Sequence, residues 1–497
     1  MYFESRYMKK RLNDKKLIFL YLILPLVFFM GLAVLDGTVW CVDSQSYVSM
    51  DFTREPVYPL FLLGIRKVFE FFDFAGQMYG QPSYLFCAVI IQSLLWVYTT
   101  ARLGFFAYKV ARDNTYEERA RLVGFLAVFF QIAVCVLNRF IAARGSMYSE
   151  CIMTESLAMP LFVLFNIRLF MALKDYSKRN LTVLFLLCVL ISSIRKQMLI
   201  TLLIWGFLSF VMHLLWKRTR DFRKFVETFI LVILAVICIS VADRSYNYVL
   251  RGHFVEHTGN SKGALDTVLY TAKAEDASLY EKYDDSEDYP NLSELYTRIY
   301  DVLIKQELTI DFAKSGYELG EESTVSNSDW VAMASHYADC YDVIGFDVVL
   351  PICEEYVAEY FPNLDEVSAQ LKEDAVEKVL LKELIKKDVL GIFKGESKAF
   401  FYVFKANVLK AFVISVANIS PKILITASLI IYILYLTLMF RIGVLRKKED
   451  ILLMAFIVIT GVFINSMVTG SMIFPQPRYM CYSMGLFYLL ISCDILL

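Results

Sequence analysis

Apolar runs of membrane-spanning length recur along this 497-residue chain and restrict the folds that it can adopt. A bilayer core needs about 20 apolar residues per helix and offers no partner for backbone polar groups, so such runs predict transmembrane helices. The hydrophobic content of 57% agrees, because soluble domains contain about 45–50% apolar residues. The sequence therefore predicts an all-α polytopic membrane protein. About ten transmembrane helices are expected, at residues 17–36, 83–107, 121–141, 152–173, 180–194, 197–216, 225–242, 422–440, 451–469 and 480–497.

The distribution of Lys and Arg between the short loops predicts how the chain is oriented. If the N-terminus is cytoplasmic, the short inner segments carry 22 Lys and Arg residues and the short outer segments carry seven. The positive-inside rule describes this bias, so both termini are expected in the cytoplasm. The first apolar run follows a Lys- and Arg-rich tail and lacks a small-residue cleavage site, which favours a retained anchor over a signal peptide.

Charge also divides the chain into three predicted domains. Residues 246–397 hold 31 Asp and Glu against 13 Lys and Arg, whereas the rest of the chain holds 20 against 37. We expect an N-terminal transmembrane domain at 1–245, a small, mainly helical extracytoplasmic domain at 246–397, and C-terminal transmembrane helices at 398–497. An aromatic run at 400–417 is expected to lie in the membrane interface before the eighth span.

Within the first outer loop, 38–82, the stretch 42–62 is the most polar and least helix-like part of the first hundred residues. Pro56 and Pro59 prevent a helix from starting earlier in the loop. The amphipathic run at 60–74 is too short and too charged to cross a bilayer, so we expect it to lie along the membrane surface as an interfacial helix.

The predicted outer turns combine carboxylates with cations. If these turns converge, they form a polar site at the lipid boundary. The residues concerned are Asp43, Asp51, Arg54 and Glu55 in the first loop, Arg144, Glu150 and Glu155 before and at the start of the fourth span, Arg195 and Lys196 in the next outer turn, and Arg478 and Tyr479 before the last span.

Asp43 and Glu155 are the carboxylates with the clearest chemical interpretations. Asp43 can take a proton from an acceptor hydroxyl during displacement at a sugar carbon, or it can cap the short helix that follows. Glu155 falls inside an apolar run, where a carboxylate needs a partner or a cavity. It can position a substrate or a metal, or it can make a structural hydrogen bond. Glu150 is expected to be a solvated loop residue.

The outer cations also have two interpretations. An arginine can form paired hydrogen bonds with the phosphate of an anionic lipid headgroup. Alternatively, it can simply extend toward phospholipid at the interface. We favour phosphate binding for Arg478 and the second interpretation for Lys196.

Other patterns give weaker signals. Cys340 and Cys353 could pair in the acidic segment, and His253 and His257 have helical spacing without an evident third metal ligand. The chain has no glycine-rich phosphate loop, so a nucleotide donor is not expected. Nothing in the sequence indicates nucleic-acid binding.

Three segments resemble the GT-C superfamily of membrane glycosyltransferases, and most closely the bacterial relatives of protein O-mannosyltransferases and aminoarabinose transferases. The first is DSQSY at Asp43, followed by REPVYPLFL at Arg54. The second is TESLAMPL at Thr154, and the third is PRY at Pro477. The resemblance covers the membrane part of the chain and not the acidic segment.

This resemblance implies an inverting transferase of the bacterial plasma membrane that uses a polyprenyl-phosphate sugar on the outer face. Asp43 would be the base and Glu155 a second catalytic residue. Arg478 with Tyr479, and Arg195 as a further candidate, would hold the donor phosphate. The acceptor could be a glycan, a lipid or a protein. No cofactor is certain, and a divalent metal stays open. The remaining loop residues expected to bind substrate are Arg54, Glu55, Tyr58, Arg144 and Glu150.

Three other functions are compatible with the sequence. A transporter or flippase of lipid-linked saccharide predicts ionisable residues near the middle of several spans, whereas here they gather at the outer ends. A polysaccharide polymerase would share the outer-face site. A scaffold without catalysis would not depend on Asp43.

Overall fold

The computed structural model describes residue 17 and residues 19–74, 76–141, 148–216, 219–313, 329–416 and 421–496. It confirms the all-α polytopic class. In these ranges, nine helices are long and apolar enough to cross a membrane. They are Phe19–Asp36, Ser83–Arg112, Glu117–Leu137, Glu155–Lys174, Lys196–Leu215, Phe222–Arg251, Lys398–Val416, Thr426–Gly443 and Glu449–Met472.

Helices make up most of the described structure up to residue 256. Their bounds are α1 Leu24–Asp36, α2 Ser44–Val48, α3 Val57–Phe71, α4 Ser83–Arg112, α5 Glu117–Ile141, α6 Glu155–Lys174, α7 Lys178–Ile194, α8 Ile200–Phe210 and α9 Phe222–Arg251. Short 3₁₀-helices lie at Tyr148–Glu150 and Lys196–Leu199, and π-helical turns lie at Phe19–Ile23 and Val211–Leu215. Strands β1 (Gln77–Met78) and β2 (Gln81–Pro82) form an antiparallel hairpin.

The second half of the chain is also helical. Its α-helices are α10 Lys262–Leu269, α11 Leu292–Lys305, α12 Asp329–Asp342, α13 Leu350–Tyr360, α14 Glu366–Lys394, α15 Lys398–Val416, α16 Pro421–Phe440, α17 Glu449–Met472, α18 Pro477–Met480 and α19 Met484–Leu496. The 3₁₀ and π-helical turns lie at Ala274–Leu279, Glu281–Tyr283, Ile310–Phe312, Val343–Val349, Arg441–Arg446 and Cys481–Ser483.

Local sequence signals set the ends of two long helices. Asp221 accepts hydrogen bonds from the backbone N–H groups of Arg223 and Lys224, and α9 then runs to Gly252, which has φ +79°. Asp365 caps α14 in the same way, and that helix ends at Gly395, which has φ +76°. Such caps satisfy the amide groups that lack partners at a helix start, and glycine adopts the left-handed conformation at a helix end without strain.

Two of the predicted spans are too short to cross a bilayer, as the sequence already indicated for 180–194, and one helix of span length lies where an interfacial segment was predicted. Helix α7 has 17 residues and α19 has 13. At about 1.5 Å per residue, both are shorter than a bilayer core of about 30 Å. By contrast, α15 has 19 residues and is apolar enough to span, although the run at 400–417 was predicted to be interfacial.

The chain divides into two compact units. The first contains Met1–Glu256, Leu429–Ile464 and Pro477–Leu497, and the second contains His257–Ser428 and Asn465–Gln476. Aromatic and aliphatic side chains form the core of the second unit. Among them Tyr280, Tyr296 and Leu380 are completely buried. The residues of the candidate site described below all belong to the first unit.

Candidate functional site

Backbone contacts fasten the first outer loop to the turn before α6. The N–H of Val39 donates to the carbonyl of Glu150, and the N–H of Ile152 donates to the carbonyl of Val39, both at 3.1 Å. The buried hydroxyl of Ser44 donates to the carbonyl of Ile152 at 3.0 Å and accepts from the N–H of Cys41 at 2.7 Å. These bonds hold residue 43 close to the start of α6.

Gln92 of α4 supports this junction from behind. Its Nε2 donates to the carbonyls of Ser149 and Cys151 at 3.2 Å, and its Oε1 accepts from the hydroxyls of Tyr58 and Ser156 at 2.9 Å. The amide therefore uses both its donors and both its acceptor positions. Tyr58 is completely buried, which places it in the packing behind the site and not on a substrate-facing surface.

Asp43 lies between two arginines from distant parts of the sequence. Its Oδ1 is 2.9 Å from Arg54 Nη2, and its Oδ2 is 3.2 Å from Arg478 Nη1. Although Asp43 occupies the position before α2, its side chain makes no capping hydrogen bond. The capping interpretation is therefore wrong. The carboxylate keeps 26% of its side-chain surface exposed, so it is accessible to a ligand.

The first loop also fixes Arg54. Its Nε donates to the hydroxyl of Ser46 at 2.8 Å, and its Nη1 lies 3.4 Å from the hydroxyl of Tyr47. The guanidinium carbon is 4.7 Å from the centroid of the Tyr47 ring, a distance at which a cation and an aromatic face attract each other. The DSQSY segment thus supplies the carboxylate together with the groups that orient its partner.

Glu155 forms a buried ion pair with Arg195. Its Oε2 lies 2.8 Å from Arg195 Nη1, and its side chain is completely buried. Arg195 also donates to the hydroxyl of Thr154 at 3.0 Å and to Oε1 of Gln197 at 3.1 Å. Because Arg195 is engaged inside the protein, the alternative in which the outer arginines only extend toward phospholipid does not hold for this residue.

Tyr479 and Arg478 connect the two ion pairs. The Tyr479 ring centroid is 4.9 Å from the guanidinium carbon of Arg195 and 4.8 Å from that of Arg478. Arg478 Nη2 donates to the Tyr479 hydroxyl at 2.8 Å, and Arg478 Nε lies 4.0 Å from Oε1 of Glu155. Arg478 therefore faces both Asp43 and Glu155.

We name these charged groups the arginine–carboxylate cluster: Asp43, Arg54, Glu155, Arg195 and Arg478. Three guanidinium groups and two carboxylates give it a formal charge of +1, which suits an anionic ligand. Burial raises the pKa of Asp43, but Arg54 and Arg478 lower it by more, so the pKa lies below its ordinary value. At neutral pH, Asp43 is therefore ionised and able to accept a proton.

The other predicted site residues have structural positions. Glu55 accepts a hydrogen bond from the backbone N–H of Lys196 at 2.5 Å and so holds the start of the 3₁₀-helix Lys196–Leu199. Glu150 is completely buried, so the prediction that it is solvated is wrong. The carbonyl of Glu150 accepts the hydrogen bond from the N–H of Val39, so its backbone is part of the junction with the first loop. Arg144 lies outside the described residues.

The metal and disulfide predictions find no geometric support within the described ranges. No group of three or more His, Cys, Asp or Glu side chains there is arranged to hold a metal ion. Both oxygens of Glu155 face guanidinium groups, which does not suit a metal ligand. Cys340 and Cys353 are described, and both are buried free thiols, so the possible disulfide between them does not form.

Sequence reasoning missed the supporting roles of Ser46, Gln92 and Gln197. Ser46 orients Arg54, Gln92 joins two elements, and Gln197 bonds both Arg195 and the carbonyl of Tyr479, at 3.0 Å. Gln92 carried one available signal, because an amide inside a span-length apolar run needs buried partners.

Comparison of the chain with protein-family models, curated proteins and solved structures gives no match. The resemblance to GT-C glycosyltransferases therefore depends on the motif residues alone.

Proposed function

We propose that this multi-pass membrane protein is an inverting GT-C-type glycosyltransferase. It would move a sugar from a polyprenyl-phosphate donor to a cell-envelope acceptor on the outer face of the bacterial plasma membrane. The observation that carries this function is the position of Asp43, a partly exposed carboxylate held between Arg54 and Arg478, with a third arginine joined to Arg478 through Tyr479.

In the proposed reaction, an acceptor hydroxyl oxygen attacks the anomeric carbon of the donor sugar. A new carbon–oxygen bond forms on one face, the bond to the phosphate oxygen breaks on the other, and the configuration inverts. Asp43 takes the hydroxyl proton, and the electron pair of the broken bond leaves with the polyprenyl phosphate. Since phosphate is a competent leaving group, the protein mainly has to compensate its negative charge.

Arg478 is the group best placed to meet that charge. It contacts Asp43 at 3.2 Å, so a donor phosphate would compete with the carboxylate for the same guanidinium. Drawing Arg478 toward phosphate would remove one of the two cations that lower the pKa of Asp43. Donor binding would thereby make Asp43 a stronger base when the acceptor needs it.

Glu155 and Arg195 have a positioning role in this scheme. Glu155 is completely buried and holds Arg195 at 2.8 Å, and Arg195 packs on the ring of Tyr479. The pair would keep Arg195 and Tyr479 in place for the phosphate. Because the carboxylate of Glu155 has no exposed surface, it does not act as a second proton acceptor.

Mass spectrometry of cell-envelope glycans tests the function directly. Cells lacking this chain should lose one sugar modification, and the wild-type gene should restore it. An Asp43→Asn variant at equal membrane abundance should not. Identical glycan profiles in all three strains would refute a transferase role.

A further inference from the structure

A second candidate site lies on the membrane part of the first unit, away from the arginine–carboxylate cluster. It is an apolar groove of about 260 Å³ lined by residues of α4, α6 and α7. Its lining includes the leucines Leu164, Leu186 and Leu190, and the last two are exposed. Helices α4 and α6 are long and apolar enough to cross a membrane, and α7 packs against α6, so the groove would face the acyl region of a bilayer.

Two arginines also line this groove. Arg102 is exposed on α4, and Arg168 is half-buried on α6. Within the described ranges, neither guanidinium has a carboxylate oxygen within 4.0 Å. The contact recorded for Arg168 is a 4.0 Å approach of Nη1 to the sulfur of Met171, which leaves its charge uncompensated. An arginine in an apolar span is costly unless it meets an anion or water.

The groove lies toward the helix ends opposite the cluster. Arg168 is 13 residues beyond Glu155 on the same helix, which corresponds to about 20 Å along the axis. It is six residues before Lys174, where α6 ends. Under the orientation predicted from the Lys and Arg distribution, this is the cytoplasmic half of the membrane, whose leaflet surface carries anionic headgroups.

The geometry points to a binding site for an anionic phospholipid, with one acyl chain in the groove and the headgroup phosphate between Arg102 and Arg168. Guanidinium groups form paired hydrogen bonds with phosphate oxygens, and Tyr98 is exposed at the same groove. The leucine side chains supply an apolar surface suited to an acyl chain. This site is independent of the proposed transferase reaction.

Native mass spectrometry of the full-length protein in mild detergent tests this site. The protein is titrated with phosphatidylglycerol or with phosphatidylcholine of identical acyl chains. We expect phosphatidylglycerol to bind roughly 30-fold more tightly, which is the factor expected when two basic residues lie near an anionic headgroup. Equal binding of the two lipids would overturn the proposal.

Two matched variants separate this site from general charge attraction. Arg102→Gln/Arg168→Gln should abolish the preference for phosphatidylglycerol. Lys109→Gln/Arg112→Gln removes the same charge from the same end of α4 but outside the groove, and it should keep the preference. Equal losses in both double variants would mean that the arginines only extend toward any headgroup, and would overturn the proposal.

A third variant tests the groove without changing charge. Leu187→Trp would fill the apolar lining, and should weaken binding of long-chain phosphatidylglycerol while sparing a dihexanoyl analogue. The Leu187→Trp variant also tests the site if the arginine variants fail to fold. Unchanged binding of the long-chain lipid would place the acyl chain elsewhere and contradict the assignment.

Discussion

Removal of the Arg195 guanidinium would leave Glu155 completely buried without the partner that lies 2.8 Å from its Oε2. The other cation near this carboxylate, Arg478 Nε, is 4.0 Å from Oε1, too far for a hydrogen bond. The neighbouring hydroxyl of Thr154 already donates toward the same carboxylate at 3.2 Å, and a neutral hydroxyl does not replace the charge of Arg195. We therefore expect Arg195→Ala to destabilise the fold strongly.

The magnitude follows from the burial of the pair. Removing one partner of a buried ion pair costs about 3–5 kcal/mol, because the remaining charge stays desolvated. The double variant Glu155→Gln/Arg195→Gln removes both charges and should lose only neutral hydrogen bonds, about 1–2 kcal/mol. The double variant should therefore be about 2–3 kcal/mol more stable than the single variant Arg195→Gln, and the cycle completed with Glu155→Gln should show coupling between the two residues.

Two buried tryptophans provide the assay. Unfolding in mixed detergent micelles can be followed by the fluorescence of Trp96 and Trp205, both nearly completely buried. Trp96 is the closer reporter, because its Nε1 donates to the carbonyl of Ser156, next to Glu155, at 2.9 Å. The measured quantity is the change in free energy of unfolding for the two single variants and the double variant.

A matched control lies at the other end of the same helix. Lys174 contacts Asp450 at 2.6 Å, but its side chain is 53% exposed. Lys174→Ala should cost no more than about 1 kcal/mol, as exposed ion pairs do. Equal destabilisation by Arg195→Ala and Lys174→Ala, or a coupling near zero in the cycle, would refute the description of a buried pair.

Three further predictions concern charge. Arg54→Gln should move the acid limb of the kcat/KM profile to higher pH, because it removes one of the two cations that outweigh burial and lower the pKa of Asp43. Since this pKa is lowered in the folded protein, the stability that the Asp43 carboxylate contributes is present above its unfolded pKa and is lost as pH falls through its folded pKa. Arg478→Ala should raise the donor KM roughly 10–100-fold, as loss of a charged hydrogen bond does, with a smaller effect on the acceptor KM. Burial raises the pKa of Glu377 to about 7. The stability that this group contributes is therefore fully present below its unfolded pKa and is lost as pH rises through 7. Unfolding curves measured over a pH series should show this decrease in the wild type and not in Glu377→Gln.

The membrane character and the convergence of distant motifs could be predicted from the sequence. Apolar runs of fixed length follow from bilayer thickness, so the spans at 83–107 and 152–173 correspond to α4 and α6. The expected meeting of Asp43, Glu155 and Arg478 is confirmed, because Arg478 lies 3.2 Å from Asp43 and 4.0 Å from Glu155. It could be expected because charged side chains near an apolar environment need partners.

The pairing pattern inside the site could not be predicted. Sequence placed Glu150 in solvent, because a turn carboxylate is normally hydrated, yet its carbonyl bonds to Val39 and its side chain is buried. Similarly, Tyr58 follows a polar motif but turns toward Gln92. Both outcomes depend on tertiary contacts between segments that no local pattern connects.

The most direct test of the transferase mechanism is turnover by purified protein with a panel of polyprenyl-phosphate hexoses and envelope extract as acceptor. Asp43→Asn should reduce release of polyprenyl phosphate by about 100-fold or more, the usual contribution of a general base. Asp51→Asn is the matched control in the same loop, since Asp51 is exposed and bonds only locally to Thr53 at 2.9 and 2.6 Å. Undiminished turnover by Asp43→Asn would contradict the assignment of Asp43 as the base.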